Sequence, residues 1–296
     1  MIESSGVAYA INPSGKRITR EELLSEGASA TVLVTGVEPY DAGVFDGLGQ
    51  LRCISRCGSG VDAIDLAAAR KRGITVLNTP HAPTQAVAEL AVAMMLGISR
   101  RFGAHRDQFR RHEWTRLETH MLRGRTVGVV GLGRIGREVV RLLTAFGADV
   151  LGSDPAADES WAAGAGVELT TLEDLVRRSD IITLHAARGL GKPVILGPDE
   201  IRSMRKGSVV INLARGGMVD EQALAEALRS GRLAGAGLDV FGEEPYSGEL
   251  CDLDNVILTP HSATLAVECR VAMEREAVGN ALAFIGGSVP ESSIVV

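Results

Sequence analysis

No stretch of the chain approaches the ~18 consecutive apolar residues of a membrane span, and the N-terminus has no charged region followed by an apolar stretch and a small-residue cleavage site. A cytoplasmic protein is therefore expected, with no membrane partner. There is also no basic run, and the net charge is −6. Phosphate backbones demand concentrated Lys and Arg, so nucleic acid is not expected as a partner. The only cysteines are Cys53, Cys57, Cys251 and Cys269. Their spacing fits neither a disulfide framework nor a zinc ribbon, and Cys53 and Cys57 sit in a strand-like run where a four-residue spacing makes no metal site. All four read as buried or incidental thiols, and no metal is expected. Low-complexity segments and internal repeats are missing too.

What is present is an ordinary globular composition, 45% hydrophobic and 23% charged over 296 residues, enough for two domains with real cores. Strand-like apolar runs alternate with helix-like segments along nearly the whole length, the pattern of parallel sheets crossed over by helices. The fold class is α/β, with two doubly wound parallel-sheet domains. Strands are expected at 6–11, 31–35, 51–56 and 73–77, and helices at 19–26, 41–48 and 65–72. A long Ala- and Met-rich helix follows at 84–101, suited to burial. A second unit then shows strands near Thr126, Ala148, Ile181, Ser208, Ala234 and Val256, six in all, and 155–166 is the only turn-rich patch. The helix at 268–285 is too short for a domain of its own and is expected to pack back on the first unit. The expected division is 1–92 plus 270–296 for one domain and 93–269 for the other.

The second unit opens on TVGVVGLGRIG at 126–136, an apolar strand running through a glycine turn into a helix. Gly131 permits the tight turn, Gly133 lets backbone approach a pyrophosphate, and Gly136 lets the helix starting near Arg134 pack close to the sheet. The helix N-terminus faces the pyrophosphate with unpaired amides and the positive end of its dipole. The next strand delivers Asp154 to the place of a ribose 2′-hydroxyl, where a carboxylate accepts from the diol and repels a 2′-phosphate. A lone glycine motif is weak evidence; here strand, turn, helix, strand and acid coincide, and the expected cofactor is NAD. Methyltransferases use a similar layout, so the fingerprint leaves the chemistry open.

Three further motifs lie at strand ends, where open α/β sheets bind ligands. These are NLARGG at 212–217, LDVFGEEP at 238–245 and TPH at 259–261. Removing a hydride from a 2-hydroxy acid needs a base for the hydroxyl proton and a cation for the carboxylate and carbonyl oxygen. His261 exchanges a proton near neutral pH, Glu244 is placed to orient the imidazole and favour its protonated form, and Arg215 offers a fixed fork of donors. Each residue alone has a structural explanation; their joint placement beside a dinucleotide site favours the chemical one. Asp239 reads as a cofactor contact, with a helix cap or salt-bridge partner as the alternative.

These motifs, with RCGSGVDAIDLAAARKRGITVLNTP at 56–80, VAEL at 87–90 and the Trp114 segment, resemble the D-isomer-specific 2-hydroxyacid dehydrogenases, and among them the short phosphoglycerate dehydrogenases. The resemblance covers nearly the whole chain. It implies a Rossmann NAD domain beside a smaller flavodoxin-like substrate domain, with the active site in the cleft and homodimers formed through the NAD domain. It implies that Arg215 binds and polarises the substrate and that His261 is the acid/base partnered by Glu244. Arg134, Ile135, Asp154, Leu213, Ala214 and Asp239 would touch NAD, and the amides of Ser59 and Gly60 would hold the substrate carboxylate or the cofactor. The implied activity is hydride transfer between NAD and a small D-2-hydroxy or 2-oxo acid, with 3-phosphoglycerate or hydroxypyruvate first. The alternatives are a hydroxypyruvate/glyoxylate reductase and an NAD(H)-sensing binding protein of the co-repressor type.

Four departures from the family pattern carry expectations. Met1 falls inside the helix that relatives place after their first strand, so a missing strand and helix, with exposed apolar surface, are expected; no regulatory domain is expected after Val296. Thr35-Gly36 stands where phosphoglycerate dehydrogenases often carry Arg-Ser, which weakens the case for a phosphorylated substrate. Ser262-Ala263 replaces the Gly after the histidine, and His185-Ala186-Ala187 with a Gly-rich loop replaces a His-Xaa-Pro turn.

Overall fold

The computed structural model describes residues 1–12, 18–187 and 194–296, which form two compact units: Met1–Pro83 with Leu265–Val296, and Thr84–Thr264. The smaller unit runs α1 (Arg20–Glu26), β1 (Val32–Thr35), α2 (Ala42–Gly47), β2 (Cys53–Arg56), α3 (Leu66–Lys71) and β3 (Thr75–Leu77), with all three strands parallel in the order β1-β2-β3. Each helix starts at a side-chain cap: Thr19 with Glu22 in a reciprocal box, Asp41 on the Val44 amide, and Asp65 on the Ala68 amide. Val44, Phe45, Leu48, Leu51, Ile54 and Val76 fill the core between them. The last helix, α11 (Val267–Ile285), returns to this unit, where Ser55 donates to the Ala277 carbonyl at 2.8 Å and Asn280 donates to the Asn78 carbonyl at 3.0 Å.

The strand expected at 6–11 does not form. That segment pairs with nothing in the sheet, and Ile11 is 74% exposed, because its apolar residues find no core to face. Strand β1 is accordingly an edge among the described residues, and Val34 on it is exposed. The opposite edge is covered: Val295 donates to the Val76 carbonyl, and Val76 to the Val296 carbonyl, each at 2.8 Å.

The larger unit contains α4 (Pro83–Ser99), α5 (Phe102–Arg110), β4 (Thr126–Val130), α6 (Arg134–Ala145), β5 (Asp149–Ser153), α7 (Glu159–Gly164), β6 (Val167–Leu169), α8 (Leu172–Arg178), β7 (Ile181–Leu184), α9 (Pro198–Ser203), β8 (Val209–Asn212), α10 (Glu221–Arg229), β9 (Gly235–Leu238) and β10 (Val256–Leu258). Its parallel sheet has seven strands in the order β10-β9-β8-β7-β4-β5-β6, one more than the six expected. The extra strand, β6, is three residues long with one of them buried, too brief for any periodicity to reveal. Within the turn-rich 155–166 the chain also forms α7, capped by Asp158. The expected breaks at 92/93 and 269/270 compare with contact boundaries at 83/84 and 264/265, since α4 gives Val87, Ala88, Ala91, Val92, Met94 and Met95 to the core of the larger unit.

The sheet reverses direction of winding between β4 and β7, both of which pair with full register. Ligands of open α/β sheets bind outside the carboxyl ends of the strands at such a reversal. The glycine turn, Asp154 and the loops after β8, β9 and β10 all lie at those ends.

Candidate active site

The glycine turn is built as its residue types require. Gly131 has φ +92°, and a Cβ there would stand 2.6 Å from the Ala186 amide nitrogen, so only glycine fits. A Cβ on Gly136 would stand 2.0 Å from the Gly131 carbonyl oxygen, which is the close helix-to-turn packing. Around Gly133, the N-cap of α6, there is open space on the Cβ side. The turn thus presents an unobstructed helix N-terminus, which leaves its first amides without intrahelical partners and suits a pyrophosphate. Arg134, exposed, and Ile135, half-buried, open that helix. At the end of β5, Asp154 accepts from the Leu132 amide at 2.7 Å and from the Ala156 amide at 2.8 Å, which pins the carboxylate beside the turn. These residues fit an NAD pyrophosphate and adenosine ribose.

Beyond β8, Leu213 and Ala214 are buried and Arg215 is half-buried. Asn212 holds this loop from both sides, accepting from the Ala214 amide at 3.1 Å and donating to the Arg215 carbonyl at 3.0 Å. Arg215 Nη1 donates to the Ala214 carbonyl at 2.7 Å. The neighbouring Gly216 backbone lies so close to the loop after β9 that a Cβ would sit 1.7 Å from the Phe241 carbonyl oxygen. That contact ties the arginine loop to the loop carrying Glu244.

His261 Nδ1 and Glu244 Oε2 are 2.9 Å apart, while Glu244 Oε1 accepts from the Phe241 amide at 3.0 Å. One carboxylate oxygen is thereby anchored to backbone and the other is turned onto the imidazole. His261 itself has φ +52°, an uncommon conformation for a non-glycine residue, held by its amide donating to the Asp239 carbonyl at 2.9 Å.

Asp239 is 1% exposed and its carboxylate is engaged by Thr259 Oγ1 at 2.5 Å, the Ser262 amide at 2.7 Å and the Ala263 amide at 2.9 Å. The side chain braces the turn on which His261 sits. The roles of Asn212, Thr259 and the Phe241 backbone are not evident in the sequence, because each acts through contacts with a neighbouring loop.

His185, after β7, shares a 2.8 Å hydrogen bond between Nε2 and Thr183 Oγ1, and burial holds its pKa down at about 4, so the imidazole is neutral at neutral pH. Among the described residues its buried Nδ1 has no partner. The Gly-rich loop that follows lies in 188–193, outside the described residues.

Ser59 and Gly60 belong to the smaller unit, in the loop after β2. The loop is held at Gly58, whose amide donates to Thr79 Oγ1 at 2.6 Å, and at Ser59, whose carbonyl accepts from Asn78 at 2.8 Å.

Among the described residues no cluster of His, Cys, Asp and Glu is arranged for a metal ion, and no helix is long and apolar enough to cross a membrane.

The profile of the D-isomer specific 2-hydroxyacid dehydrogenase NAD binding domain matches residues 92–263. The chain is 41% identical over 261 residues to the D-3-phosphoglycerate dehydrogenase of Methanocaldococcus jannaschii, covering 86% of this chain and 50% of that one. It is 36% identical over 294 residues to the glyoxylate reductase of Thermococcus kodakarensis, covering 95% and 88%. The crystal structure of D-lactate dehydrogenase from Aquifex aeolicus complexed with NAD and lactic acid superimposes with a TM-score of 0.86 at 28% identity, covering 95% of this chain and 90% of that one. The chain spans about half the length of the phosphoglycerate dehydrogenases it matches. By profile, sequence and fold together, the chain belongs to the D-isomer-specific 2-hydroxyacid dehydrogenase family, and its larger unit is the NAD-binding domain.

Proposed function

We propose that the chain is an NAD-dependent dehydrogenase that moves a hydride between the nicotinamide ring and the α-carbon of a small D-2-hydroxy acid, with 3-phosphoglycerate or hydroxypyruvate as the substrate. The observation that carries this reading is the 2.9 Å pairing of Glu244 with His261 Nδ1, at the strand ends of an NAD-binding domain and one loop from Arg215. Glu244 commits Nδ1–H to itself, which leaves Nε2 as the nitrogen that takes the substrate hydroxyl proton. Arg215 binds the acid's carboxylate through its donor fork and polarises the oxygen that becomes the carbonyl. Bound NAD supplies the ring carbon that accepts the hydride. In the reverse direction His261 would return the proton to the oxygen while the hydride supplied by bound NADH goes to the α-carbon, and the 2-oxo acid is reduced to the 2-hydroxy acid. Gly131, Gly133, Arg134, Ile135 and Gly136 cradle the pyrophosphate, Asp154 takes the ribose diol, and Leu213 and Ala214 contact the cofactor from the next loop.

A reductase of glyoxylate or hydroxypyruvate is the second reading, favoured by the Thermococcus kodakarensis relative matched over 88% of its length. NADH consumption by purified protein, offered phosphohydroxypyruvate, hydroxypyruvate and glyoxylate separately, decides between them by the acid with the highest kcat/KM. NADH binding with no turnover of any 2-oxo acid would instead make the chain an NAD(H)-binding sensor.

The same reading includes a homodimer made through the NAD-binding domain, in a cytoplasmic protein. Support comes from Phe102, Phe109, Trp114 and Met121, all exposed within one segment, with Trp114 80% exposed and in edge contact with Phe109. Such a concentration of apolar surface on a monomer marks an interaction site. Light scattering is expected to return twice the chain mass for the native protein and a lower mass for Trp114→Ser with Phe109→Ser; a native mass equal to one chain would sink the proposal.

A further inference from the structure

Cofactor selection in this fold turns on the ribose 2′ position, where an acid favours NAD and an arginine accommodates the phosphate of NADP. Here an acid, Asp154, and an arginine, Arg137, are both bonded to Leu132 of the glycine turn. Leu132, in the glycine turn, is bonded on two sides: its amide donates to Asp154 at 2.7 Å, and its carbonyl accepts from Arg137 Nε at 3.0 Å. The Arg137 guanidinium is thus gathered at the same turn residue as the ribose-binding carboxylate. It lies 4.4 Å from the centre of the Trp161 ring, and its Nη2 is 3.5 Å from Asp158 Oδ2. Asp158 is itself immobilised, because its Oδ1 accepts from the Trp161 amide at 3.0 Å and from Ser160 Oγ at 2.8 Å. The Trp161 amide, the Ser160 hydroxyl and Arg137 keep this carboxyl below the usual carboxylate range, so it is ionised at neutral pH.

We propose that Asp158 is a second determinant of cofactor choice, which holds Arg137 stacked on Trp161 and so withholds it from the 2′-phosphate of NADP. The inference rests on the dinucleotide-binding reading of this domain. Asp154 rejects the phosphate by like charge; Asp158 removes the cation that would otherwise attract it. The arrangement is economical in variants, because asparagine caps a helix about as well as aspartate. Asp158→Asn therefore keeps the start of α7 and deletes only the charge that faces Arg137.

The test is direct titration of the protein with NADH and with NADPH, read as nucleotide binding by calorimetry and independent of turnover, for the native protein, Asp158→Asn, and Asp158→Asn with Arg137→Met. In Asp158→Asn the NADPH affinity is expected to rise by roughly tenfold, the scale of one charge-assisted contact, and NADH affinity to stay within about twofold. The gain is expected to vanish in the double variant. Unchanged NADPH affinity in Asp158→Asn, or a gain that survives the loss of Arg137, would overturn the proposal. Failure of the native protein to bind either nucleotide would overturn the dinucleotide reading along with it.

Discussion

Replacing Arg215 with alanine is expected to lower kcat/KM for the preferred acid by roughly three to four orders of magnitude, the cost of losing both carboxylate binding and stabilisation of charge at the reacting oxygen. Affinity for NADH should remain within about twofold of native, since the backbone that carries Leu213 and Ala214 has holds besides the guanidinium bond to the Ala214 carbonyl. That independence has a specific cause. Asn212 bridges the loop through both ends of its amide, and Gly216 is wedged against the Phe241 carbonyl, so the loop keeps its course when the side chain is cut back. Lysine at 215 should recover only part of the loss, because a point charge cannot reproduce the planar fork. Steady-state kinetics with parallel nucleotide titrations check both halves. Activity of the alanine variant within tenfold of native would remove Arg215 from the reaction, and a matching fall in NADH affinity would mean that the side chain holds the loop after all.

The second large effect concerns the proton. His261→Asn should reduce kcat by about three orders of magnitude or more, as expected when a general acid/base is deleted. Glu244→Gln removes the charge and leaves one acceptor oxygen where the carboxylate has two, so the Phe241 amide and Nδ1–H can no longer both be satisfied, and a roughly ten- to hundredfold loss is expected. The two residues act as one unit. Adding Glu244→Gln to His261→Asn should therefore cost almost nothing further. Full additivity in that cycle would show that Glu244 does something other than orient the histidine. Asp239 offers a contrast: its carboxylate engages Thr259, Ser262 and Ala263 and so braces the left-handed turn at His261.

Much of this site can be read from the chain because its parts are local. The order strand, glycine turn, helix, strand and terminal acid is contained in 126–154, and each glycine answers to a steric demand that a single turn imposes. The loops bearing Arg215, Glu244 and His261 follow strands whose apolar runs are legible, and strand ends are where parallel sheets bind ligands. Other elements defeat a reading by pattern. Residues 6–11 have the composition of a strand, yet pairing needs a neighbour and a core, and neither is offered there. The opposite error occurs at β6, where three residues become a strand because β5 lies alongside to pair with them.

From the sequence alone follow the α/β class, the NAD fingerprint, the family and the identities of the three residues assigned to hydride chemistry, since these depend on residue type and short-range order. Tertiary structure alone decided which oxygen of Glu244 meets His261, that Asp239 is buried as a brace, that Gly216 locks one loop to another, and that Arg137 is held by Asp158 and Trp161. The reason is common to all four. Each is a contact between segments separated along the chain, whose distance is set by how helices and strands pack, and no periodicity or spacing within one segment records where another will lie.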